Sequence, residues 1–133
     1  MDIDGMIVKH VRHAFPVMQA IYRFGSTVTE GERPGQSDVD VAVYAGFQLE
    51  QQQLWFVSQA LADELRQDVD LIDLAQSSTV MTMQVLGKGR RVFFLDEAFV
   101  GAFESRVYAD YARLNEERAG ILLDIRARGS IYG

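Results

Sequence analysis

The sequence predicts an α/β (α+β) fold: one small mixed β-sheet with helices packed on one face and a long C-terminal helix. Three observations carry this. "DVDVAVY" (38–44) and "DVDLIDL" (68–74) alternate polar and apolar residues as strands do. Apolar residues at helical spacing occupy the intervals before, between and after them. The resulting order (helix, strand, strand, helix, strand, helix, strand, long helix) belongs to a layered domain, and 133 residues are enough to build one core without staples. The expectation is therefore a single domain over residues 1–133, with a core to residue 95 and a helical, partner-docking segment from 96.

Each element has its own warrant. Ile3, Ile7, Val11, Ala14 and Phe15 recur at helical spacing and stop before Pro16, which reads as a first helix. "MQAIYRFG" (18–25) is short, rich in large apolar residues and ended by glycine, a first strand. The Gly/Pro-bearing stretch from Thr27 to Ser37 is a loop, and the second strand, 38–44, comes directly after it. In "FQLEQQQLWFVSQALADEL" (47–65), Leu54, Val57, Leu61 and Leu65 form one helical stripe. The third strand is 68–74. Ser77 or Ser78 can cap a short helix through Leu86, closed by Gly87 or Gly89. "RRVFFL" (90–95) is a fourth strand. From Asp96 on, Phe99, Phe103, Val107, Tyr111, Leu114, Ile121 and Ile125 step by three, four and seven, one long helix or two separated near Gly120.

Composition narrows the function. There is no cysteine, so disulfides and thiolate metal sites are excluded. No apolar run is long enough to span a bilayer, and the acidic start lacks the order of a signal peptide; a cytoplasmic protein is expected. The net charge of −6 disfavours binding to long nucleic acid, which draws most of its affinity from a basic face. "KGRR" (88–91) is the single basic group, and it reads as a solvated helix end.

The aspartates carry the chemistry. Side chains alternate along a strand, so Asp38 and Asp40 share a face, about 6 to 7 Å apart, while Val39, Val41 and Val43 point the other way. Two carboxylates this close repel each other in a cleft unless a cation sits with them. Mg²⁺ suits: it takes oxygen ligands, commonly one or two carboxylates plus substrate phosphates. A third carboxylate would complete a two-ion site for in-line phosphoryl displacement. Asp68, Asp70 and Asp73 lie on the third strand. With Val69 and Leu71 in the core, Asp70 takes the metal face, Asp68 lies near the strand's start, and Asp73 ends the strand and caps the next helix. Gly25 and Ser26, at the end of the first strand, offer a close backbone approach and donors for a phosphate. Thr27, Val28 and Thr29 are poor helix formers, which favours a turn there.

A lone Gly-Ser or Asp-x-Asp is weak evidence. Together, as "YRFGS", "SDVDVAV", "DVDLIDL" and "VLGKGRRVFF", they resemble the nucleotidyltransferases of the DNA polymerase beta superfamily over about Ile3 to Leu114. Within it the chain is similar to the minimal nucleotidyltransferases (MNT), the antitoxins of HEPN/MNT toxin–antitoxin pairs. The resemblance implies that Asp38, Asp40 and Asp70 are catalytic and hold two Mg²⁺, with Asp70 drawing the proton from the acceptor. It also implies that Gly25, Ser26 and Ser37 bind the nucleotide, ATP. The implied activity is transfer of AMP to a tyrosine of a cognate HEPN ribonuclease toxin, which silences it. The loop Thr27–Ser37 is one residue longer than the family's usual loop, and an arginine common after Gly-Ser is replaced by Val28 or Thr29.

Other features weigh less. His10 and His13 form H-x-x-H without a third ligand nearby in sequence and read as the helix's polar side. Trp55 and Phe56 are expected to pack against the sheet rather than stack a base. The apolar stripe continuing to Ile121, Leu122 and Ile125, flanked by Arg113, Arg118, Arg126 and Arg128, outlasts the domain's own need and reads as a docking surface. Two rival functions remain: adenylylation of a small molecule such as an aminoglycoside, and a steric, non-catalytic antitoxin.

Overall fold

The computed structural model describes residues 2–25 and 38–127. Helix α1 (Ile3–Ala14) starts at Asp2, whose carboxylate accepts the Gly5 N–H at 3.1 Å and satisfies one of the orphan donors of the first turn. Its Ile3, Ile7 and Val11 are buried. Strands β1 (Ala20–Phe24) and β2 (Val39–Tyr44) come next, then α2 (Gln51–Leu65), which ends at Arg66 in the left-handed region (φ 56°). Strand β3 (Val69–Asp73) leads through a 3-10 turn (Leu74–Gln76) into α3 (Thr79–Lys88). Of the two expected caps of α3, Ser78 is the one used: its hydroxyl accepts the Met81 N–H at 3.1 Å. Gly89, not Gly87, closes the helix, because a side chain there would run into the carbonyl oxygens of Arg23 and Val85. Strand β4 (Arg90–Phe94) and the 31-residue α4 (Glu97–Ala127) complete the order, and α4 passes Gly120 unbroken.

The sheet runs β3-β2-β1-β4. β1 is antiparallel to both β2 and β4, and β2 is parallel to β3, so the sheet is mixed. Its two central strands are buried on both faces, which corrects the expectation of helices over one face only. On one side Ile21, Val39, Val41 and Val43 join Ile7, Val11, Leu54 and Leu61, the stripes of α1 and α2. On the other, Ala20, Tyr22, Ala42 and Tyr44 join Leu74, Val85, Val100, Phe103 and Val107, from the turn, α3 and α4. Phe103 stacks on Tyr44 with ring centroids 3.6 Å apart. The physical reason is that Ala42 and the Tyr44 ring can be buried as Val41 and Val43 are, so β2 packs on both faces and only its start is polar.

Charged side chains tie these layers together. Asp4 of α1 accepts from Arg23 of β1 (3.0 Å) and from Arg90 of β4 (2.7 Å), and the Arg23 side chain is buried. Arg91 pairs with Glu97 and Glu104 of α4, and Glu104 also accepts the Tyr22 hydroxyl at 2.6 Å. Burial and that neighbouring carboxylate raise the Tyr22 pKa, so the phenol stays protonated. "KGRR" is thus not simply solvated: Lys88 is exposed, but both arginines are held in ion pairs. His10 is matched by Glu64 of α2, which supports its polar reading. Among the described residues no helix is long and apolar enough to cross a membrane.

Candidate active site

The helices over the second face cover the sheet from Ala42 onward and leave the start of β2 open. Asp40 lies there, half-buried, on the same face as Ala42 and Tyr44, while Asp38 at the strand's mouth is exposed. The parallel register pairs Asp40 with Asp70 of β3. Adjacent strands are about 4.8 Å apart, so these carboxylates are neighbours across the ladder. Burial raises the Asp40 pKa, and the charges of Asp70 and Asp38 raise it further. Asp40 thus lies within reach of the charges of both other expected acidic residues. They are adjacent without converging: among the described residues no three His, Asp or Glu side chains are gathered tightly enough to hold a metal ion alone.

The third strand divides its aspartates as its alternation requires. Asp70 is exposed on the Asp40 face. Asp68 is exposed just before the strand, and its carbonyl accepts the Val39 N–H at 2.9 Å. Asp73 is buried and takes part in structure instead. It accepts the Leu49 N–H (2.8 Å), the Ala75 N–H (3.0 Å) and the Gln76 side-chain amide (2.8 Å), capping the 3-10 turn and fastening the loop before α2.

Gly25 closes the site on the β1 side. Phe24 pairs with Asp40, and Gly25 comes next at φ +86°, where L side chains are strained. A Cβ at this position would also overlap the Asp40 carboxylate, so glycine is required twice over. Ser26 and Ser37, expected to bind nucleotide, lie outside the described residues, as does the turn expected at Thr27–Thr29.

One expectation fails beside the site. Trp55 and Phe56 do not pack on the sheet; each is 57% exposed, the two rings meeting edge to face at 5.3 Å. The stripe Leu54, Val57, Leu61 and Leu65 occupies the buried side of α2, and the next two positions after Leu54 turn away from it. That spacing was the available signal. Trp55 stands over a cleft of about 220 Å³ between α2 and the edge strand β3, and Asp70 is part of its wall.

An acidic cluster on paired strands, a glycine beside it at the end of the preceding strand and a mixed four-stranded sheet define a nucleotidyltransferase. The chain belongs to the family described as polymerase beta nucleotidyltransferase, which it matches over residues 7–98. It is similar to a curated relative, the protein adenylyltransferase MntA of Shewanella oneidensis, with 35% identity over 127 residues, 93% of this chain and 88% of the relative. It also resembles the matching chain in a crystal structure of a toxin–antitoxin with AMP-PNP. There the TM-score is 0.79 and the identity 32%, over 95% of this chain and 99% of that one. A second solved relative is in a complex of a tri-AMPylated Shewanella oneidensis HEPN toxin with its MNT antitoxin (TM-score 0.74, 32% identity, 93% of this chain and 96% of that one).

Proposed function

We propose that this chain is the antitoxin of a HEPN/MNT pair and transfers AMP from ATP to a tyrosine hydroxyl of its cognate HEPN toxin in the cytoplasm. The observation that carries the reading is the in-register pair Asp40 and Asp70, with Asp38 beside it and Gly25 against it. The name and the complexes of the relatives support the acceptor.

The donor set fits hard cations. Asp38, Asp40 and Asp70 offer only carboxylate oxygens, and the raised Asp40 pKa marks a place where positive charge would be favourable. They would hold two Mg²⁺, the substrate's phosphates supplying further oxygens. When bound, the ions would offset charge developing on the phosphoryl oxygens. The residues of the chain do the rest. Asp70 accepts the proton of the acceptor hydroxyl as its oxygen forms a bond to the α-phosphorus. The bond from that phosphorus to the bridging oxygen breaks, and pyrophosphate leaves, with Ser26 and Ser37 the expected nucleotide-binding residues. The far end of α4 serves recognition: its buried residues end at Val107, while Ile121, Leu122 and Leu123 are about 60% exposed and would dock the HEPN protein.

Labelled ATP tests the reaction type. Incubated with this chain, Mg²⁺ and the HEPN protein, ATP labelled at the α-phosphate should label the protein, and ATP labelled at the γ-phosphate should not. Label arriving from the γ-position would make the chain a kinase and overturn the proposal.

A further inference from the structure

We infer that Lys88, the last residue of α3, binds the β- and γ-phosphates of ATP, the part released as pyrophosphate. The inference rests on the AMP-transfer reading and adds a phosphate-binding residue to it. Three observations carry it. The first is position. The register sets Asp70 beside Asp40 and Asp40 beside Phe24, at the end of the sheet where Arg23 meets Arg90. Gly89 lies so close to the Arg23 carbonyl and Phe24 that a side chain there would collide with both. Gly25 follows Phe24 and Lys88 precedes Gly89, so this end of the sheet runs Asp70, Asp40, Gly25, Lys88 in strand order. Two strand spacings, about 10 Å in the plane of the sheet, separate Asp40 from the entry to β4. A triphosphate and a four-carbon side chain bridge that gap together. The face agrees as well. Val85 of α3 is buried with Ala42 on the Asp40 face, and Lys88 stands one turn beyond it.

The second observation is that the other bases at this end are engaged elsewhere. Asp4 of α1 holds Arg23 and Arg90, and Glu97 and Glu104 hold Arg91. Arg66 closes α2, which packs on the opposite face. Lys88 is exposed, and among the described residues it has no ion-pair or hydrogen-bond partner. The third observation is charge. Three carboxylates and the roughly four negative charges of ATP exceed two Mg²⁺ by about three, so a further cation favours the bound nucleotide. The negative end of the α3 dipole also lies here, and a lysine in the last turn offsets it. A lysine that served the helix end alone would affect stability and leave nucleotide binding untouched. In the reaction Lys88 keeps its proton and pairs with the β- and γ-oxygens, while the bonds at the α-phosphorus form and break as above.

Titrations of ATP and AMP into the wild type, Lys88→Met and Lys88→Arg test this. Each variant is also melted and assayed for steady-state transfer to the HEPN protein. Lys88→Met is expected to weaken ATP binding roughly tenfold, the loss of a charge-assisted contact, and to leave AMP binding unchanged. Its kcat should fall, because charge grows on the leaving oxygens, while KM for the HEPN protein stays the same. Lys88→Arg should recover most of both losses. Unchanged ATP affinity in Lys88→Met would overturn the inference and return Lys88 to the helix end. Equal weakening of ATP and AMP would overturn it too, since the contact would then not be with the leaving phosphates. A wild type that binds ATP but transfers no AMP would overturn the underlying function. That outcome is distinct from an active wild type whose ATP affinity ignores Lys88→Met.

Discussion

Asp70 and Asp73 are three residues apart on one strand and do opposite things. Asp70 is exposed beside Asp40, whereas Asp73 is buried and accepts three hydrogen bonds. Asp70→Asn is therefore expected to abolish transfer and leave the melt unchanged. Asp73→Asn should keep much of the activity but cost about 1–3 kcal/mol of stability, because an amide nitrogen would face donors. Transfer assays and denaturant titrations on the two variants check this, and a reversed pattern would mean that the register of β3 is off by one. Asp40 adds a pH signature. Its folded pKa lies above the ordinary carboxylate value, so the folded chain holds more protons than the unfolded one in that window, and stability falls as pH rises through it. In chelator at neutral pH, Asp40→Asn should melt higher than the wild type. The gain should shrink at acidic pH, where the wild-type carboxyl is already neutral. A lower melt for the variant at neutral pH would show that Asp40 has a structural role.

At the scale of elements, α4 changes character along its length. Val100, Phe103 and Val107 fill the second face of the sheet, with Phe103 on Tyr44, so Phe103→Ala should cost about 3–5 kcal/mol in a denaturant melt. A cost below about 1 kcal/mol would mean that the helix does not close that face. Elements of this kind show what the sequence could and could not tell. The alternation in "DVDVAVY" and "DVDLIDL" was enough to place Asp40 with Asp70 and to set Asp73 apart, because a two-residue period leaves no freedom once the valines are assigned to the core. The Ser78 cap and the unbroken α4 were legible within the alternatives raised. The second covered face was not: alternation shows that Ala42 and Tyr44 oppose the valines, but only tertiary packing decides what lies over them. Trp55 was misread because size and apolarity argue for burial, while its angular offset from Leu54 argues against it, and the offset prevailed. Ser26 and Ser37 remain expectations, since they fall outside the described residues.

At the scale of the whole molecule, the proposed function separates reaction from capture. The carboxylates lie at the open end of the sheet, and the apolar end of α4 extends roughly 20 Å past Leu114 at 1.5 Å per residue. Replacing Ile121 and Leu122 by Asp should leave folding and ATP binding intact, since both side chains are exposed, but reduce capture of the HEPN protein and slow transfer at low acceptor concentration. A pull-down with undiminished capture would show that this end of the helix serves something else. The central claim is that Asp38, Asp40 and Asp70 join AMP to the HEPN protein. Its most direct test is intact mass spectrometry of that protein after incubation with ATP, Mg²⁺ and either the wild-type chain or its Asp38→Ala and Asp40→Ala variants. The account expects whole AMP increments with the wild type and none with either variant, although both variants fold and still bind the HEPN protein. AMP increments that persist in a folded Asp38→Ala or Asp40→Ala variant would contradict it.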